Sequence, residues 1–171
     1  MSPLPERVSR ADAVKAILWG GLFCGTGDLL FAFVFYGSRG ATPMGVMQSV
    51  AGGLLGKASR EGGMATAMLG VGLHYFISFV AAGIYFVASQ RLTFLARYPV
   101  PCGLAYGIMV YFFMNMVVLP LSAYHSHAFP PPLSPLPILG HMFLVGLPIA
   151  LVVRHYTGRK AVPRPAPAVT P

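Results

Sequence analysis

Charge is what this sequence has least of. Only 9% of its 171 residues are Asp, Glu, Lys or Arg, where soluble domains carry about 25%. A soluble fold needs charge to cover its surface, so the balance excludes an ordinary globular domain and points to lipid as the solvent. Cysteine is also scarce. Cys24 and Cys102 form no spaced pair and sit in or beside apolar runs, so neither a disulfide framework nor a thiolate metal site is indicated. Nothing has the pattern of a P-loop, a nucleotide fingerprint, a zinc signature or a nucleophile elbow. The expectation is therefore a protein that is not an enzyme and carries no cofactor. Acids are rarest of all, four against 12 bases, for a formal charge of +8. On a soluble chain such an excess suggests nucleic acid. Here the bases cluster at the ends of apolar runs, which reads as membrane orientation, with the lipid bilayer rather than nucleic acid as partner.

What the sequence does have is long apolar runs. A bilayer core about 30 Å thick needs roughly 20 apolar residues in a helix. Four segments meet that length: 16–36, 64–88, 102–121 and 136–156. The last contains Pro148, which removes one helix hydrogen bond and should kink it. The first has a basic flank (Arg7, Arg10, Lys15) like that of a signal peptide. Its apolar run is too long, holds an acid and precedes no small-x-small cleavage site, so it is expected to be retained. The short apolar stretch from Pro43 to Leu55 cannot span and is expected to be interfacial or re-entrant. These features predict an all-α membrane protein, a four-transmembrane-helix bundle over 16–156. A short segment, 1–15, precedes it, and a basic, proline-rich, disordered tail, 157–171, follows.

The bases also set the direction. Arg7, Arg10 and Lys15 before the first span, Arg91 and Arg97 after the second, and Arg154, Arg159, Lys160 and Arg164 after the fourth fall on one side. That is nine bases, against Arg39, Lys57 and Arg60 on the other. Positively charged loops stay cytoplasmic, which predicts both termini inside, in a bacterial inner membrane.

Each predicted span carries one conspicuous polar residue: Asp28, His74, Asn115 and His141. Counted along spans of that direction, all four lie in the outer half of the bilayer. The first three should agree within about 5 Å at 1.5 Å per residue, with His141 somewhat higher. Small residues share their faces: Gly21, Gly25 and Ala32 with Asp28; Ala67, Gly70, Ser78 and Ala81 with His74; Gly103, Gly107 and Tyr111 with Asn115. Small residues let helices approach, so the polar groups should point into the bundle. An intramembrane acid must find a partner or take up a proton, and His74 is the expected partner of Asp28.

This cluster supports more than one reading. The first is structural or accessory: interhelical hydrogen bonds commonly serve packing. An alternative is a small transporter or proton relay using Asp28 and His74. A second alternative is a redox carrier with haem between His74 and His141. His125 and His127 form an H-x-H that would give a metal only two ligands. The G-x-x-x-G pairs Gly21/Gly25, Gly52/Gly56 and Gly103/Gly107 could support a homo-oligomer or docking into a larger membrane complex, or packing within one bundle.

The run L-H-Y-F-I-S-F-V-A-A-G-I-Y from Leu73 to Tyr85, the L-P-L at Leu119 to Leu121, and G-H-M-F at Gly140 to Phe143 before a basic flank at Arg154 resemble the YagU-like family of small bacterial inner-membrane proteins. The resemblance covers the second half of the chain. It implies a bacterial inner-membrane location, draws attention to His74 and His141, and assigns them no chemistry.

Overall fold

A computed structural model describes residues 8–123 and 134–158, and all regular structure in them is helical. Helix α1 (Arg10–Gly37) starts where Ser9 caps it: the Ser9 hydroxyl accepts from the Asp12 amide at 3.1 Å and donates to the Asp12 carboxylate at 2.7 Å. Helix α2 (Pro43–Leu55) starts on Thr42, whose hydroxyl accepts from the Gly45 amide, with proline at the first helical position where its missing N–H costs nothing. It ends at Gly56, whose φ of +58° suits glycine alone. A 3-10 turn (Gly56–Arg60) leads into α3 (Gly63–Arg91). Then follow α4 (Pro99–Leu121) and α5 (Pro135–Thr157).

Helices α1, α3, α4 and α5 run for 28, 29, 23 and 23 residues and are apolar enough to cross a membrane. Even the shortest reaches about 34 Å at 1.5 Å per residue, more than a hydrocarbon core of about 30 Å. Their outward faces are the reverse of a soluble protein's. Val34, Phe76, Val87 and Leu30 are each more than half exposed; in water such a surface would associate, and in lipid it is the natural exterior. The chain is thus a multi-pass helical membrane bundle. Each predicted span lies inside an observed helix, and the Pro43 to Leu55 stretch is a helix of its own.

Within the bundle α1 is central, packed against both α3 and α5, and α5 also packs against α4. Glycine makes these contacts close. A methyl group on Gly107 would run into the His141 carbonyl, and one on Gly146 into the Gly103 carbonyl. Gly21 and Gly25 lie against Phe79 and Tyr75. The Gly21/Gly25 and Gly103/Gly107 pairs are therefore used inside the bundle. At the end where α1 begins and α5 finishes, Ala16, Tyr85, Ile149 and Val153 form a fully buried core.

By contrast, α3 and α4 make little backbone contact. They are joined by side chains: the Tyr106 hydroxyl donates to the Ala81 carbonyl at 2.7 Å, and the Tyr85 and Tyr106 rings meet edge to face at 4.9 Å. At the opposite end α2 lies on α1 and α3, with Val46 and Met47 against Leu29, Phe33 and Ala67. Gly70 admits the Met47 carbonyl where any side chain would collide. Buried Gln48 donates to the Gly63 carbonyl at 3.0 Å, and Gly53 accepts from the Ala123 amide at 2.9 Å, tying α2 to the end of α4.

Prolines shape the last two spans in the same way. In each, the residue before proline bonds five residues back rather than four, Leu119 to Met114 before Pro120 and Leu147 to Met142 before Pro148. The result is a π-helical turn in each span, Met114–Val118 and His141–Gly146. A wider turn makes room for the proline ring, which would otherwise meet the carbonyl four residues earlier. The expected disturbance at Pro148 is thus a widened turn on its N-terminal side.

Candidate functional site: a cavity inside the bundle

Inside the bundle is a cavity of about 340 Å³, walled by all four spans and covered by α2. Most of its wall is apolar, including Ile77, Val110 and Met114; Asp28, His74 and His141 supply polar groups. Their levels follow from the close contacts. Gly25 accepts from His74, Gly27 lies on Leu144, and Phe31 on Gly140. Asp28, His74 and His141 are therefore at similar depth, within a helical turn or so.

His74 reaches across the helix boundary: its Nε2 is 2.8 Å from the Gly25 carbonyl. His141 turns back on its own helix, with Nδ1 2.9 Å from the Pro137 carbonyl and the ring edge-on to Tyr111. A carbonyl oxygen only accepts, so in each case the facing ring nitrogen carries the hydrogen. In a neutral imidazole the other nitrogen, Nδ1 of His74 and Nε2 of His141, is then a lone-pair acceptor.

Asp28 does not pair with His74. Among the described residues its carboxylate has no hydrogen bond and no ion pair, and it is partly open to the cavity. The expectation of an Asp28–His74 pair gives way for a local reason. The backbone carbonyl of Gly25, bared by the absence of a side chain, accepts the imidazole N–H instead.

Asn115 lies apart from the other three. Gly107, two turns before it, packs on His141 and Met142, so Asn115 is about 12 Å nearer the α2 end of the bundle than His141. Its amide donates to the Tyr111 carbonyl of its own helix. The cause is the connector between α3 and α4. The short helix Phe94–Arg97 folds back against α5, where the Arg97 carbonyl accepts from Arg154, and the Leu95 carbonyl accepts from Tyr85 of α3. Helix α4 consequently starts higher than a symmetric bundle would place it, a shift that the span boundaries alone do not encode.

Among the described residues no three His, Cys, Asp or Glu side chains come together as a metal would need. His125 and His127 lie outside the described residues, as do 1–7 and the tail beyond Gly158. Ser49 and Ser122, not singled out from sequence, also line the cavity, as does Tyr36, whose place near a helix end reads from sequence as an interface anchor. Single serines carry no signal until α2 folds over them. No family model, curated protein or solved structure matches this chain.

Proposed function

We propose that this protein is a small carrier of the bacterial inner membrane, with both termini in the cytoplasm, that takes a proton or a cationic ligand at Asp28. One observation carries the reading: an acid within a membrane span faces a cavity and has no partner among the described residues. Unpaired intramembrane acids are expensive and generally mark a pathway or a ligand. The excess of bases at the terminus end supports the orientation, and the resemblance to the YagU-like family supports the location.

Reconstitution tests this. In proteoliposomes carrying an internal pH dye, an imposed pH gradient should collapse faster with the native protein than with Asp28→Asn. Asp28→Asn should also melt no lower than native, because no hydrogen bond is lost. Equal flux from both proteins would refute the carrier reading.

A second reading, a structural or accessory subunit, draws on His74, whose bond to Gly25 ties α3 to α1. It predicts instead that flux is the same in the native protein and Asp28→Asn, that His74→Phe lowers stability, and that crosslinking in native membranes captures a larger complex.

A further inference from the structure

The polar groups of the cavity share a property that follows from where their hydrogens go. Ser49 donates to the Val46 carbonyl at 2.6 Å, Ser78 to His74 at 2.9 Å and Ser122 to Leu119 at 2.7 Å. His74 and His141 donate to Gly25 and Pro137. Each donor hydrogen is thus taken by backbone, and Asp28 when ionised has none to give. Only Tyr36, half-exposed at the end of α1, offers a strong donor from the described wall. With Asp28 ionised, such a wall has little beyond Tyr36 to give a carboxylate, phosphate or carbonyl head group. It suits a head group that donates and carries positive charge.

The way in is also defined. Along the α3–α4 boundary the Tyr106–Ala81 bond closes one end, and the Gly53–Ala123 bond of α2 to the end of α4 closes the other. Between these struts α3 and α4 do not pack backbone to backbone, and Ile77, Val110 and Met114 face the cavity from either side. Both helices are membrane spans, so a passage between them would open on hydrocarbon. A ligand using it arrives dissolved in the bilayer, with an apolar body to match the apolar wall.

We infer that the cavity binds a lipid-borne primary amine, its ammonium group on Asp28 and its alkyl chain among the apolar residues, entering sideways between α3 and α4. This rests on the reading of Asp28 as a cation site and names the class of cation. At about 30 Å³ per water-sized group, 340 Å³ accommodates roughly eleven such groups, a chain of about ten carbons with its nitrogen.

The test uses radiolabelled decylamine, decanol and decanoate with the full chain in nanodiscs. Decylamine should bind saturably, and at least about tenfold more tightly than either competitor. Asp28→Asn should weaken it by about tenfold or more, as expected for loss of a hydrogen bond to a charged group. Equal binding of decanol, or decylamine binding that survives Asp28→Asn, would overturn the proposal and leave an apolar pocket only. If decylamine does not bind while Asp28-dependent proton flux persists, the amine is wrong and the cation site stands; loss of both removes both. For the route, Ile77→Trp in that passage should slow decylamine release several-fold, whereas Phe76→Trp on the lipid face should not. Equal rates in two variants that melt like the native protein would refute lateral entry.

Discussion

At the scale of single residues, Asp28 and His74 play different parts although they are near neighbours in depth. His74 stitches two helices through the Gly25 carbonyl, while Asp28 keeps its oxygens toward the cavity. Replacing His74 by Phe keeps an aromatic ring there and removes that stitch. It should lower unfolding stability in detergent by about 1 kcal/mol, the usual net value of such a bond. Asp28 as an outlier was legible from sequence because an acid in an apolar run is conspicuous. That His74 would leave it unpaired was not, since the acceptor His74 meets is a backbone carbonyl, at Gly25, and a sequence shows carbonyls only implicitly.

At the scale of elements, the glycines decide how closely the spans approach. Gly107 sits directly on the backbone of His141, whereas Gly72 has open space around it, although both are glycines inside apolar spans. Gly107→Ala should destabilise by about 1–3 kcal/mol through overpacking. Gly72→Ala should be neutral or gain up to about 1 kcal/mol from helix propensity. Thermal unfolding of the two variants side by side checks the contrast; equal losses would mean that α4 and α5 do not pack as described. All four spans and the extent of α2 could be read from apolar run length and flanking turn residues. The vertical shift of α4 could not. It depends on the Phe94–Arg97 connector folding back against α5, a tertiary contact that leaves no periodic mark. That shift is why Asn115 parts from the other three polar residues.

For the whole molecule, the apolar exterior describes a membrane bundle, and the unequal split of bases, nine against three, predicts its orientation. In a chain with Cys24 and Cys102 replaced by Ala, a cysteine at Arg91 should be reached by a membrane-impermeant maleimide only after the membrane is opened. A cysteine at Lys57 should be labelled from outside intact cells. The opposite pattern would invert the topology and put α2 on the cytoplasmic side. With the expected topology, α2 caps the cavity from the outer face, which leaves the proposed route between α3 and α4 as its entrance.

The central claim is that the Asp28 carboxylate faces this cavity and meets a cation there. Its most direct test is an infrared difference spectrum of the membrane-embedded protein with and without decylamine. The account predicts a carboxyl difference band that disappears in Asp28→Asn and remains in Asp12→Asn, whose carboxylate is engaged in capping α1. A spectrum unchanged by the amine, or a band that survives in Asp28→Asn, would contradict it.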